Sequence, residues 1–242
     1  MTHPRAGAFL ALWNGIAAAG LQAEYETWHT FEHVPERVGM PGFLEARRYR
    51  ADAAGQAPHY FTCYWLEHAG ALQTPQYQEL LDRPTPWSSR MRGVLRDFVR
   101  VPCALGGRHG NSNATHLVAL HLAADAARFA ATAPALLQRL VDEAAIVCAQ
   151  WGSSVEGSAH PLGAAPAAGV VVLLEGLDAA ALQATAHGLL RDLAAVAAAV
   201  SPPRGFTLST QVRQDELQFP LTARQPARPE LFQRFTSPGD KQ

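Results

Sequence analysis

Apolar and polar positions change period several times along the chain, and the changes mark a repeated order of elements. Residues 7–13, ending in Phe9-Leu10-Ala11-Leu12-Trp13, form an apolar run fit for a buried strand. Over 21–37 the period becomes helical: Leu21, Tyr25, Trp28 and Glu32 fall within one narrow arc. Pro41-Gly42 breaks the chain, and Phe43 to Arg50 alternates as a strand. Residues 51–58 read as a turn around Gly55, and His59 to Leu66 is aromatic-rich and β-like. Thr74-Pro75 opens a short helix to about Asp82, with proline at the first helical position. Pro84 and Pro86 end it and start another helix to about Arg96, and Phe98 to Leu105 is a last strand. The order is β-α-β-β-α-β.

The stretch Gly106 to Ala114 is rich in Gly, Asn and Ser and reads as a linker. Beyond it the same order returns. Thr115 to Leu122 alternates as a strand, residues 125–144 read as one helix around Pro134, and Ile146 to Trp151 is strand-like. Gly152 to Ala168 is a long loop of small residues, and Gly169 to Glu175 is a strand. Asp178 caps an alanine-rich helix predicted to run to Val200, where Ser201-Pro202-Pro203 stops it. Phe206 to Arg213 is the final strand.

Two successive units of this order predict an α+β fold of tandem ferredoxin-like repeats. Helices on one face of an antiparallel sheet leave its other face bare. Two sheets facing each other cover both, closing an intrachain α+β barrel with helices outside. Repeat 1 spans 1–106 and carries the expected ligand site; repeat 2 spans 115–213 and is expected to act as its structural partner. Residues 214–242, with four prolines, read as a surface-wrapping tail. Leu231, Phe232 and Phe235 in it offer an apolar face to the barrel or to another subunit, which leaves a homodimer open.

Composition narrows the function. The chain has 242 residues, 48% of them hydrophobic, with 20 basic against 21 acidic side chains. A near-neutral charge lacks the electrostatic footprint of a general nucleic-acid binder. No apolar run approaches the roughly 20 residues of a membrane helix. Asn14 and the glycines break the apolar stretch from Ala6 to Ile16, so no secretory leader is read there. The 3 cysteines, Cys63, Cys103 and Cys148, are widely spaced among apolar neighbours and read as buried thiols, which fits a reducing cytoplasm. The sole lysine is Lys241, in the polar tail, which argues against Schiff-base chemistry.

Candidate chemistry concentrates in Trp28-His29-Thr30-Phe31-Glu32-His33-Val34-Pro35-Glu36-Arg37. His29 and His33 lie four residues apart and share one helix face. Glu32 sits on the apolar stripe, so its carboxylate needs a partner or a raised pKa. Arg47 or Arg48 on the next strand is the expected partner; alternation points them to opposite faces. His33 and His29 start near the working pH of an acid/base group, with His33 ranked first. The alternative is that His33 ends the helix before Pro35, that His29 sits at the barrel edge, and that Glu32 makes a structural ion pair. Tyr60 and Tyr64 are core or cavity wall, or orient a ligand with Trp28 and Arg48. His116, His121 and His187 read as packed or surface residues.

The run Trp-His-x-x-Glu-His-x-Pro-Glu-Arg, then Pro41-Gly42-Phe43, Ala46-Arg47-Arg48-Tyr49 and the aromatic strand from His59 to Tyr64 resemble the dimeric α+β barrel superfamily. Within it the likeness is nearest to EthD-like proteins, where a histidine two residues before proline is followed by a Pro-Gly turn. Tyr77 and Pro84-Thr85-Pro86-Trp87 extend it, and it covers about residues 7–102. The second half shares only the element order. The resemblance implies a ligand cavity between sheet and helices. It also implies a cofactor-independent monooxygenase, lyase or isomerase, or else a haem-binding or other non-catalytic barrel; the fold does not select among them. Together these readings predict a small-molecule enzyme needing no cofactor, acting by acid/base chemistry or oxygenation on an apolar or aromatic carbonyl compound.

His29-Thr-Phe-Glu32-His33 also satisfies H-x-x-E-H, the pattern of inverted zinc peptidases. Its third ligand would have to come from Glu67, Glu79 or Glu143, none with a supporting motif, and Pro35 disturbs the helix at once. No metal site is therefore expected. Gly106-Gly107 lacks the context of a phosphate loop, and Gly152-Ser153-Ser154 reads as a loop run rather than a nucleophile elbow.

Overall fold

A computed structural model describes residues 6–53, 58–155, 168–219, 221 and 224–236. Its first half contains β1 (Ala8–Ile16), α1 (Gln22–Trp28), α2 (Val34–Val38), β2 (Phe43–Ala51), β3 (Tyr60–Leu66), α3 (Pro75–Asp82), α4 (Pro86–Arg92) and β4 (Leu95–His109). Its second half contains β5 (His116–Ala124), α5 (Ala126–Asp142), β6 (Cys148–Ser154), β7 (Val170–Gly176), α6 (Ala179–Asp192), β8 (Ala197–Ala199) and β9 (Gly205–Arg213). A last helix, α7 (Pro229–Thr236), lies in the tail.

The strands form a closed, antiparallel barrel of eight, in the order β7-β6-β4-β1-β3-β2-β9-β5 with β5 returning to β7. The two halves meet edge to edge, through β2–β9 on one side and β4–β6 on the other. Together the strands make one continuous closed sheet. Helices pack outside, so most strands are buried on both faces. That is why β3 and β7 read as continuous apolar runs rather than alternating ones. The barrel interior is filled from both halves, with Phe9, Trp13, Phe61 and Trp65 meeting Leu117 and Phe206.

Three expected boundaries are corrected. β4 continues to His109, so Gly106 and Gly107 belong to a strand and not to a linker. They are glycines because the Trp151 indole lies against them: a Cβ on Gly106 would meet that ring at 2.4 Å. The alanine-rich helix stops at Asp192, and Ala197–Ala199 pairs instead with Leu122–Ala124 of β5, an edge that overrides alanine's helix preference. Gly152, Ser153 and Ser154 lie in β6. Much of the loop expected after them, residues 156–167, falls outside the described residues, as do residues 54–57.

The fourth correction concerns Pro35, which does not end its helix. His29–His33 forms a π turn, with the Val34 N–H reaching the His29 carbonyl, and the helix then runs on to Val38. Proline has no N–H for the Phe31 carbonyl four residues back. Gln225 of the tail supplies the donor, Nε2 to the Phe31 oxygen at 2.9 Å.

Candidate functional site

The helical run from Gln22 to Val38 lies over the helix-facing side of β1, β3 and β4. A partly enclosed cavity opens between them. Its room for water is about 50 Å³, within about 650 Å³ of empty space counted out through the mouth. All of its lining residues among those described lie between Leu10 and Arg100, in the first half. Leu10, Leu12, Phe43, Leu95 and Phe98 make an apolar wall. Among the lining residues there is no carboxylate, whereas Arg37, Arg92 and Arg100 all contribute.

Four of the expected site residues line this cavity: Trp28, His29, His33 and Tyr64. The two imidazoles are stacked, with ring centroids 5.0 Å apart and 28° between planes. Trp28 packs on His33 at 4.2 Å and is held by its indole N–H, which donates to Ser88 Oγ at 3.1 Å. His29 is 5% exposed, and burial holds its pKa well below the usual histidine value, helped by the positive charges of Arg48 and Arg37. Its ring is therefore neutral at neutral pH. Its Nδ1 is buried and has no hydrogen-bond partner among the described residues. The Tyr64 hydroxyl and Thr62 Oγ1 are buried without partners as well, and both residues line the same space. Burial pushes the Tyr64 phenol far up, so it stays protonated and able to donate.

Glu32, Arg48 and Tyr60 are not among the residues that line the cavity. Glu32 is 1% exposed, and both its oxygens are used. Oε1 accepts the Thr85 hydroxyl at 2.5 Å, and Oε2 accepts the Arg228 backbone N–H at 2.8 Å. Neither Arg47 nor Arg48 pairs with it. Alternation does send them to opposite faces, but each finds another carboxylate. Arg47 lies over the Trp65 ring and pairs with Glu45 at 2.5 Å and Glu175 at 3.4 Å. Arg48 pairs with Glu26 at 2.6 Å, with its guanidinium 5.2 Å from the Tyr25 ring and 4.9 Å from that of Tyr60. The Tyr60 hydroxyl donates to Glu26 at 2.9 Å. These groups brace the helix that carries the histidines.

The tail braces the same helix from outside. Arg224 pairs with Glu36 at 2.6 Å, and Phe232 of α7 stacks on Trp87 with centroids 5.7 Å apart. Asn14, Tyr25, Thr62, Arg37, Arg92 and Arg100 are cavity residues that the sequence reading did not single out. The pairing register places Arg100 and Thr62 on either side of Leu12, so all three face the helix. Strand alternation was the one available signal, and it needs the register to become useful.

Among the described residues no group of three or more metal-capable side chains comes together, and Glu32 is turned away toward Thr85 and the tail. Tyr25, Trp28 and His33 pack around the His29 ring, with centroids 5.2, 5.6 and 5.0 Å away. In the second half, His116 contacts Thr207 at 3.1 Å, His121 stacks on Trp13, and His187 is exposed. No helix among the described residues is long and apolar enough to cross a membrane.

No protein-family model matches the chain, and no curated protein matches it in sequence. Solved structures do. An anthrone oxidase-like protein superposes with a TM-score of 0.62 at 10% identity, over 86% of this chain and 93% of its own. A candidate monooxygenase from Lactobacillus acidophilus NCFM gives 0.53 at 10% identity, over 86% and 96%. Another from Fusobacterium nucleatum subsp. nucleatum gives 0.52 at 8% identity, over 86% and 95%. The chain therefore shares the fold of these proteins, and the whole closed barrel lies in one polypeptide. At these identities the likeness extends to the fold alone.

Proposed function

We propose that this protein is a small-molecule enzyme that works without a cofactor, by acid/base chemistry or oxygenation on an apolar or aromatic carbonyl compound held in the first-half cavity. The observation that carries this reading is His29: buried, neutral, facing the cavity, with a ring nitrogen that no described protein group satisfies. A neutral imidazole offers one acceptor nitrogen, and an apolar surround keeps it unprotonated and ready. Its spacing before Pro35 ranked His33 first in the sequence; its burial and open nitrogen are why we rank His29 first as base, with His33 stacked beside it as the second member of the pair. Tyr64 and Thr62 are donors for the oxygen on which charge develops when a carbon next to a carbonyl loses its proton.

The names of two kinds of fold neighbour, an anthrone oxidase-like protein and candidate monooxygenases, favour oxygenation. In that case His29 takes the proton and leaves an enolate, whose electrons go to dioxygen with formation of a carbon–oxygen bond. The hydroperoxide then loses water to leave a carbonyl, so that anthrone and one dioxygen give anthraquinone and one water. We read the two halves as tandem ferredoxin-like units. The strand order β4-β1-β3-β2 in residues 1–106 recurs as β9-β5-β7-β6 in residues 115–213, with the second unit closing the barrel and 214–242 strapping it. The EthD-like likeness of the first unit is part of the same reading.

The test is oxygen uptake and anthraquinone formation from anthrone by dialysed protein with no added metal or flavin. We expect turnover by the wild type and a loss of about a hundredfold or more in His29→Gln, the usual scale for a general base. Equal rates in both proteins remove His29 as the base. Binding of anthrone with no turnover above heat-denatured protein makes the cavity a non-catalytic binding site.

A further inference from the structure

Among the described residues four arginines are deeply buried: Arg37, Arg47, Arg48 and Arg100. The first three each lie against a carboxylate, Glu36 at 3.2 Å, Glu45 at 2.5 Å and Glu26 at 2.6 Å respectively. Arg100 has none. It is 8% exposed, it lines the cavity, and its Nε and Nη2 are buried without a partner among the described residues. An uncompensated charge in such a place is costly, and it stays only where something brings the counter-charge.

The two open atoms identify that something. Nε and Nη2 form one edge of the guanidinium, whose parallel N–H groups match the two oxygens of a carboxylate. The protein uses the same edge elsewhere: Arg90 donates from Nε to Glu24 Oε1 at 2.8 Å and from Nη2 to Oε2 at 3.1 Å. Around Arg100 the cavity supplies no acid, adds Arg92 and the Glu36-paired Arg37, and offers an apolar wall from Leu12 and Phe98. Thr62, across Leu12 in the strand register, adds an open hydroxyl.

We infer that the ligand of this cavity is an aromatic or apolar carboxylate, and that its carboxylate docks on the Nε–Nη2 edge of Arg100. This deepens the proposed function and rests on the same cavity, but it concerns binding and not turnover. An acid so held has its charged end fixed at β4 and its apolar body against the wall that faces the helix bearing His29.

The probes are benzoate and its uncharged isostere benzamide, titrated calorimetrically into the full chain in low-chloride buffer. We expect benzoate to bind the wild type at least tenfold more tightly than benzamide, and Arg100→Met to abolish that preference while leaving benzamide unchanged. Arg100→Lys keeps the charge but loses the paired edge, and falls between. In the free protein, Arg100→Met should melt at or above the wild-type temperature, because it removes an unpaired buried charge. Equal binding of benzoate and benzamide, benzoate affinity unaffected by Arg100→Met, or a Met variant that melts well below the wild type would each overturn the inference. Arg100-dependent benzoate binding without anthrone turnover leaves it standing and overturns only the enzymatic reading.

Discussion

Glu32 accepts the backbone N–H of Arg228 across 196 residues of chain, while its other oxygen holds the Thr85 hydroxyl that also caps α4. One buried carboxylate thus ties the histidine-bearing helix to both α4 and the tail. A glutamine here keeps one acceptor oxygen and turns an NH2 donor toward the other of these two donors. Glu32→Gln should cost about 2–3 kcal/mol, the scale of charge-assisted hydrogen bonds, seen as a lower denaturant midpoint. Benzoate affinity of the folded fraction should be unchanged, because Glu32 does not line the cavity. A large loss of affinity with normal stability would return Glu32 to the site.

His29 sets an acid limit on stability. In the unfolded chain it titrates near 6.5, while burial, then Arg48 and Arg37, hold the folded value well below that. Between those two values the unfolded state binds more protons, so stability falls as pH drops below about 6.5 and is flat above it on this account. His121, also lowered by burial, acts in the same direction. The difference between wild type and His29→Asn isolates the first group: unfolding titrations from pH 7.5 to 4.5 should show the shallower acid loss in the variant.

Arg48 keeps its distance from the cavity and still acts on it through charge. Its positive field is the second cause of the depressed His29 pKa. Arg48→Gln should therefore move the His29 titration upward, toward its ordinary value, as read by NMR of the imidazole. It should also destabilise the fold, since the guanidinium lies between Tyr25 and Tyr60 and pairs with Glu26. An unmoved titration would mean that burial alone sets the value.

The three thiols should be silent in the folded protein. Cys63, Cys103 and Cys148 are all free and buried. Burial pushes the Cys148 thiol up to about 12 and raises the thiols of Cys63 and Cys103 well above the ordinary cysteine value. At pH 8, Ellman's reagent should find no fast-reacting thiol in the native chain and 3 after denaturation. A rapid native reaction would place one of them at an accessible surface.

Gly106 should tolerate no side chain. A Cβ there would overlap the Trp151 ring at 2.4 Å, and the indole is itself packed against Phe129. Gly106→Ala should lower stability by about 1–3 kcal/mol, the usual cost of overpacking. A neutral result in thermal melts would show that the indole can shift.

Local pattern alone determined a good deal of this protein. The β-α-β-β-α-β order of both halves, the shared helix face of His29 and His33, and the opposite facing of Arg47 and Arg48 are all readable from periods of 3.6 and 2. These are properties of neighbours in the chain, so the chain displays them. The alanine run at 197–199 shows where such signals end: alanine favours helix, yet pairing with Leu122–Ala124 of β5 decided for a strand. The partners of buried charge lie further out of reach. Glu32 was expected to meet Arg47 or Arg48, and instead found Thr85 and a tail residue. Arg100 gave no sign of its cavity position until the β1–β4 register set it two strands from Thr62. Which carboxylate compensates which cation, and which cation is left for a ligand, depends on distant segments brought within about 3 Å of each other. Only the closing of the barrel fixes those distances.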